Sequence, residues 1–181
     1  HGTVVAGIAA SAGHGVAKGA SVVSVKVLDC TGAGTLSNLL AGIDWVAGHR
    51  RGPSVAVMSW SYGPSDALTA AVGKLVADGV FVATSAGNTG TDDCTAVPRS
   101  VPGVLAAANS MIDDHRAPSS SSGPCVGLYA PGTRIVAPVP GGGYASYSGT
   151  SMAAPHVAGV AALYKEANGD EPSATVKQWI L

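Results

Sequence analysis

The chain has 181 residues, which is long enough for one domain with its own hydrophobic core. Its composition is 46% hydrophobic and only 12% charged, with a formal net charge of −1, so nothing in it favours binding to nucleic acid or to an anionic membrane surface. No apolar run reaches the roughly 18 residues that a membrane-spanning helix needs, so no membrane segment is predicted.

Apolar runs with a strand-like pattern alternate with segments of helical periodicity along most of the chain. In chain order we predict a strand over 21–29, a helix over 36–51, a strand over 54–60, a helix over 65–79, strands over 80–88, 103–110 and 126–132, and helices over 151–167 and 172–181. Ser65 is expected to cap the second helix and Pro172 to lie in the first turn of the last one. Residues 116–125 are expected to form a surface loop. The alternation predicts an α/β domain whose mostly parallel sheet is covered by helices on both faces.

The segment over 149–159 reads GTSMAAPHVAG and has a proline inside a helical pattern. Pro155 has no N–H and would clash with the carbonyl of Ser151, four residues earlier, so the helix has to begin near Ser151. The N–H of Ser151 is then free to donate to a developing oxyanion, and its hydroxyl meets the positive end of the helix dipole. Taken alone, the position suits either a nucleophile or an ordinary N-cap serine, which is the commoner case.

Three segments resemble the motifs of the subtilisin-like serine proteases, in the order that this family requires. GTSMAAPHVAG resembles the serine motif, HGTVVAG over 1–7 the histidine motif, and TSAGN over 84–88 the segment that carries the oxyanion asparagine. Residues 15–47 are most similar to the proteinase K-like and aqualysin-like branch. The resemblance implies a three-layer subtilisin-like α/β fold. It also implies that residues 1–181 are a partial peptidase S8 catalytic domain, truncated at both ends.

The resemblance further implies a serine endopeptidase that works through an acyl-enzyme. Ser151 is then the nucleophile, His1 the general base that activates it, and Asn88 a side-chain donor to the oxyanion. The family's triad aspartate precedes the histidine, which places it upstream of His1, and no internal aspartate is a candidate for the role. We therefore expect the isolated 181 residues to be nearly inactive.

The family binds its substrate as an extended strand between two backbone segments, and specificity comes from side-chain pockets. By resemblance the substrate-binding residues are Gly32, Ala33, Gly34, Ser59, Trp60 and Ser61, and the other wall of the primary pocket is formed by Ser85, Ala86 and Gly87. No acidic cluster lines this pocket, so an apolar or small P1 residue is expected. Trp60 either enlarges the outer pocket or is a simple packing residue.

The three cysteines are also interpreted through the resemblance. Cys94 and Cys125 match positions that are disulfide-bonded in the aqualysin-like branch, and Cys30 matches a cysteine whose partner there lies just upstream of the histidine. The odd count is then explained, and a secreted protein is indicated. The alternative is three buried, free thiols.

The chemistry of the family needs no cofactor, but many relatives bind structural calcium. One such site uses an aspartate at the position where this chain has Gly127. A hard cation needs oxygen ligands, and the carbonyls of Val97 and Pro98 cannot replace the lost charge. We therefore assign no metal ligand.

Polypeptide substrates are the expected partners, together with the chain's own propeptide in the full-length precursor, and the protein is expected to be a secreted monomer. Two other functions are compatible with parts of the sequence. A catalytically inactive, subtilase-derived binding domain would keep the fold, but the presence of His1, Asn88 and Ser151 argues against it. GAGTLS over 32–37 is similar to a dinucleotide-binding fingerprint, but Ser37 replaces its third glycine and the acidic residue expected about 20 positions later is absent.

Overall fold

The computed structural model describes all 181 residues and contains five helices and six strands. In chain order these are α1 (Gly2–Ala10), α2 (Leu36–His49), β1 (Val55–Met58), α3 (Asp66–Ala77), β2 (Phe81–Ser85), β3 (Leu105–Ser110), β4 (Val126–Pro131), β5 (Ile135–Pro138), β6 (Tyr144–Tyr147), α4 (Thr150–Asn168) and α5 (Ser173–Ile180). No helix among them combines the length and the hydropathy needed to cross a membrane.

A four-stranded parallel sheet lies at the centre of the domain, in the order β1-β2-β3-β4. The register aligns Val55 of β1 with Phe81 of β2, and Ala83 of β2 with Leu105 of β3. Parallel neighbours need a crossover connection, which α3 supplies between β1 and β2. β5 and β6 form a separate antiparallel hairpin.

Alternate side chains of β2 pack on opposite faces of the sheet and so define three layers. Val82 belongs to a core cluster with α2 and α3, while Phe81 and Ala83 belong to a second cluster with α4 and α5. Successive side chains of a strand point to opposite faces, so helices cover both sides of the sheet. Every residue of β2 is buried, as expected for a central parallel strand. The predicted three-layer α/β architecture is confirmed.

The predicted cap of α3 is confirmed, and other predicted boundaries shift. Ser65 Oγ accepts a hydrogen bond from the Leu68 N–H at 3.4 Å. Pro172 is the N-cap of α5 and does not lie within its first turn. The loop over 116–125 has no helix or strand, but it is not entirely a surface loop, because Ser120 and Ser121 are fully buried.

The predicted strand over 21–29 is wrong. β-branched residues favour extended backbone, but a strand also needs a hydrogen-bonded neighbour, and the backbone N–H groups over 21–27 donate to no protein acceptor. Val22 and Val23 are 56% and 69% exposed. A groove of about 860 Å³ separates this segment from β1, whose outer edge has no neighbouring strand.

Three elements were not predicted: α1 and the two strands of the hairpin. α1 packs its buried residues Val4, Val5 and Ile8 against the hairpin residue Ala137 and against Met152 of α4. This third cluster brings the first residues of the chain next to the N-terminus of α4, which carries Ser151.

Candidate active site

Ser151 lies in the first turn of α4, as the position of Pro155 predicts. The helix begins at Thr150, and its N-cap Gly149 has a φ of 146°, a conformation that side chains other than hydrogen disfavour. Pro155 has no N–H, so it leaves the carbonyl of Ser151 without its helical donor. Ser59 fills this role, since its hydroxyl donates to that carbonyl at 3.2 Å.

Ser59 and Ser151 form a reciprocal pair. The Ser151 hydroxyl donates to the carbonyl of Ser59 at 3.4 Å, in addition to the bond made by the Ser59 hydroxyl. The pair ties the chain just after β1 to the start of α4. The side chain of Ser59 therefore holds the backbone of Ser151 in place. This role is additional to the substrate-binding role that is predicted for Ser59.

Asn88 lies in the loop that follows β2, beside the same end of α4. Its Oδ1 accepts a hydrogen bond from the Thr150 N–H at 3.0 Å and lies 3.1 Å from the Thr150 hydroxyl. The acceptor end of the amide is thereby fixed on Thr150, so the Nδ2 end points away from it. Nδ2 donates to no protein acceptor, and Asn88 is exposed, so this donor is open to a ligand.

Thr150 is a positioning residue that sequence reasoning missed. Its side chain is fully buried, and its hydroxyl accepts a hydrogen bond from the Gly87 N–H at 3.2 Å. Through Thr150 the helix start is bonded to both Gly87 and Asn88. The signal was present in the sequence, because Thr150 stands between the glycine and the serine of the GTS triplet.

His1 is the exposed N-cap of α1, and its carbonyl accepts from the Val5 N–H at 3.0 Å. Val5 belongs to the same core cluster as Met152, which places this helix beside the first turn of α4. The His1 ring makes no hydrogen bond to Ser151, and no carboxylate lies within 4.0 Å of it. The structure therefore brings Ser151 and Asn88 together through Thr150, while the ring of His1 remains unpaired.

The segment Gly32–Ala33–Gly34 forms an exposed turn that is organised by Asp29. The Asp29 carboxylate accepts from the N–H groups of Thr31 and Ala33 at 2.8 and 3.0 Å. Hydrogen bonds, first of all from the Thr31 side chain, hold the pKa of Asp29 below its ordinary value. No hydrogen bond joins this turn to the segment over 59–61.

Trp60 and Tyr62 are half-buried and pack against the core cluster of α2 and α3. Tyr62 also exchanges two backbone hydrogen bonds with Val97, at 2.9 and 3.0 Å. The packing interpretation of Trp60 is thus supported by a contact, and its role in the outer substrate pocket stays a prediction.

The segment over 85–87, which is predicted to form a wall of the primary pocket, is buried and contacts an arginine that sequence reasoning missed. Arg99 Nε donates to the Ser85 carbonyl at 3.0 Å, and Nη1 donates to Asp93 Oδ2 at 2.6 Å. Burial lowers the pKa of Arg99, and the Asp93 carboxylate offsets part of this effect. The only sequence signal was a single charged residue inside the apolar stretch AVPRSVPG.

The structure joins Cys94 and Cys125 in a disulfide, with their Cα atoms 5.5 Å apart. This bond connects the loop after β2 to the residue before β4. Cys30 is free and exposed. The alternative of three buried, free thiols is therefore wrong.

No group of three or more His, Cys, Asp or Glu side chains is placed to hold a metal ion. Gly127 lies in β4, and a Cβ there would come within 2.4 Å of Leu105 Cδ1. A side chain at this position would require the Leu105 side chain to move. The dinucleotide-binding alternative also fails structurally, because the segment before residues 32–37 is not a strand of the sheet.

Comparison with known proteins gives the same family throughout. The sequence matches the Subtilase family, peptidase S8, over residues 1–181. It is 44% identical to alkaline serine exoprotease A of Vibrio alginolyticus and to subtilisin-like protease 1 of Arthroderma gypseum, over 100% and 93% of this chain but only 34% and 36% of those proteins. The structure matches the crystal structure of a cold adapted subtilisin-like serine proteinase with a TM-score of 0.95 and 43% identity, over 97% of this chain and 64% of that one. The chain spans about a third of the length of these curated relatives, and it belongs to the subtilase family.

Proposed function

We propose that this chain carries the nucleophile, general base and oxyanion donors of a secreted serine endopeptidase. The single observation that carries the proposal is the contact of Thr150 with Asn88 Oδ1, which leaves the Nδ2 donor open at the helix end that holds Ser151. A side-chain donor and the N–H of a first-turn serine at the same helix end are the kind of donors that stabilise a tetrahedral oxyanion.

In the proposed reaction the Ser151 hydroxyl oxygen attacks the scissile carbonyl carbon while the His1 imidazole accepts the hydroxyl proton. The carbonyl oxygen becomes an oxyanion that receives hydrogen bonds from Asn88 Nδ2 and from the Ser151 N–H. Collapse of this intermediate breaks the C–N bond, and His1 returns the proton to the departing amine. Water, deprotonated by the same imidazole, then releases the acyl group from Ser151.

The carboxylate that orients His1 is proposed to come from sequence that precedes these 181 residues. Two observations support this: no carboxylate of the chain lies within 4.0 Å of His1, and the relatives are about three times as long. The open outer edge of β1 and the apolar groove beside it suit an additional strand. In a subtilisin, loss of the triad aspartate alone costs on the order of 10⁴ in kcat, a figure that we carry over from that enzyme.

The proposed substrates are extended polypeptides bound between the segments over 32–34 and 59–61. The Cys94–Cys125 disulfide supports a secreted protein, because such bonds persist in oxidising compartments. A monomeric protease, folded with the help of its own propeptide, is part of the same proposal and rests on family resemblance.

Covalent labelling with a fluorophosphonate tests the nucleophile. In the longest natural form of the protein, the label should attach to Ser151 and should be lost in Ser151→Ala. A matched control is Ser119→Ala, which removes an exposed loop hydroxyl and should label normally. Labelling that survives Ser151→Ala would refute the assignment. Peptide binding without any labelling would instead favour the inactive binding domain.

Activity of the isolated chain tests the source of the carboxylate. The 181 residues alone should hydrolyse peptides on the order of 10⁴ times more slowly than the longer natural form. Equal rates for the two forms would show that the missing carboxylate is not supplied from outside this chain.

A further inference from the structure

Arg99 joins the two segments that flank the primary specificity pocket in the proposed function. Its Nε donates to the carbonyl of Ser85, which belongs to one wall, and its Nη2 donates to the hydroxyl of Ser61, which belongs to the other. Nη1 donates to both the carboxylate and the backbone carbonyl of Asp93, at 2.6 and 3.3 Å. One guanidinium thus fixes the separation of the two walls.

The Arg99–Asp93 ion pair lies directly against Gly87, the last residue of the first wall. A Cβ at Gly87 would come within 2.5 Å of Asp93 Oδ2 and 3.4 Å of Arg99 Cζ. The ion pair therefore occupies the space behind Gly87, which a long side chain bound between the walls would otherwise use.

The Arg99 side chain is 0% exposed, whereas that of Asp93 is 27% exposed. Ser85 and Ala86, the other two residues of the first wall, are only 3% and 1% exposed. The guanidinium makes four hydrogen bonds to protein acceptors, and each of its three nitrogen atoms takes part. Arg99 is thus sealed from solvent and its charge is paired with Asp93, so it is not a free anchor for an acidic group.

We propose that Arg99 closes the floor of the primary specificity pocket and restricts this enzyme to substrates whose P1 side chain is small, such as alanine or glycine. The proposal rests on the proposed function, because it assumes that the segments over 59–61 and 85–87 receive the P1 residue. It narrows the expectation of an apolar or small P1 residue to a small one, and it names the residue that sets the limit.

The test compares peptide p-nitroanilides that differ only at P1, with alanine, phenylalanine or glutamate at that position. The longest natural form of the protein should favour alanine over phenylalanine in kcat/KM by about tenfold or more. In Arg99→Ala this ratio should fall by about tenfold or more, since the floor is removed. Arg99→Met still fills the space and should continue to exclude phenylalanine.

Arg50→Ala is the matched control. Arg50 is also an arginine that donates to a carboxylate, Asp170 Oδ2 at 2.8 Å, and to a backbone carbonyl, that of Asp78, but it has no contact with either pocket wall. The P1 ratio of this variant should equal that of the parent. The control separates an effect of the pocket floor from a general loss of stability.

Several results would overturn the proposal: a parent enzyme that cleaves after phenylalanine or glutamate as well as after alanine, an unchanged ratio in Arg99→Ala, or an Arg99→Met variant as permissive as Arg99→Ala. The P1 preference of the unsubstituted enzyme tests the proposal even if the variants fail to fold. Failure of the proposed function looks different, because then no form of the protein releases p-nitroaniline or takes up the fluorophosphonate, and the specificity proposal falls with it.

Discussion

The Cys94–Cys125 disulfide closes a loop with a sequence separation of 31 residues, and its removal should destabilise the fold strongly. For a loop of 31 residues the chain-entropy relation gives about 12 cal/mol/K, or about 3.7 kcal/mol at 25 °C. In a chain of this length that loss corresponds to a decrease in Tm of about 7–15 °C. The double variant Cys94→Ser/Cys125→Ser should therefore show a decrease of this size.

The native contacts around the disulfide support an effect that acts mainly on the unfolded chain. Asp92 Oδ1 accepts from the Cys94 N–H at 2.9 Å, and the Ser122 N–H donates to the Thr91 carbonyl at 3.0 Å. These bonds can remain when the sulfur–sulfur bond is removed. The calculated stabilisation by the disulfide is an upper bound, because a denatured chain with residual structure loses less entropy through the cross-link.

Thermal unfolding followed by circular dichroism measures the effect, in a Ser151→Ala background that removes the proposed nucleophile and so guards against self-digestion. Cys30→Ser is the matched control, because Cys30 is exposed and free, and it should change the free energy of unfolding by less than about 0.5 kcal/mol. A double variant whose stability lies within about 1 kcal/mol of the Cys30→Ser variant would refute the chain-entropy reasoning.

Four further predictions concern single side chains. Asn88→Ala should lower kcat by about 10²–10³ with little change in KM, a magnitude taken from a subtilisin and checked by steady-state kinetics. Thr150→Val leaves the Gly87 N–H unpaired and should cost about 1–3 kcal/mol in urea unfolding, whereas Thr150→Ser should not. Gly87 has a φ of 103° and lies close to the Asp93 carboxylate, so Gly87→Ala should destabilise the fold by about 1 kcal/mol or more in the same assay. Gly48 lies within a helix and in open space, so Gly48→Ala should stabilise the fold by about 0.5–1 kcal/mol. Burial lowers the pKa of His156 below its ordinary 6.5, so the unfolded chain binds the proton before the folded chain does as the pH falls. The free energy of unfolding should therefore decrease below about pH 6.5. His156→Gln should weaken this pH dependence, as measured by urea unfolding at about pH 5 and about pH 7.

The layers of the fold could be predicted because the chain repeats one signal. Short buried runs such as 80–88 alternate with amphipathic segments such as 65–79, and only a parallel sheet covered on both faces accommodates that order. The pattern of apolar runs indicates which residues prefer extended backbone, but it does not indicate whether a neighbouring strand is present to pair with them. The run over 21–29 shows the difference, since its β-branched residues favour extended backbone and yet make no ladder.

α1 could not be predicted from local preference, because GTVVAGIAA contains two glycines and two adjacent valines. Tertiary contacts decide its structure. Val5 and Ile8 are buried against the hairpin, and a Cβ at Gly7 would lie 2.3 Å from Pro138 Cγ. The hairpin itself had a usable signal that we missed: the glycines over 141–143 separate two short apolar runs.

The chemistry of the site and the shape of its pocket differ in how far a sequence can reveal them. Ser151 and Asn88 stand within family motifs, and Thr150, which orients them, lies within the same motif as Ser151. Arg99 stands in no motif, and its role depends on Ser61, 38 residues earlier in the chain, and on the Asp93 carboxylate that neutralises it. A charged residue in a loop is ordinarily solvated, so only the observed burial of its guanidinium distinguishes this one. The depth of the specificity pocket is therefore a tertiary property, and a subtilase with the same catalytic motifs but a short side chain at this position should have a deeper pocket and accept larger P1 residues.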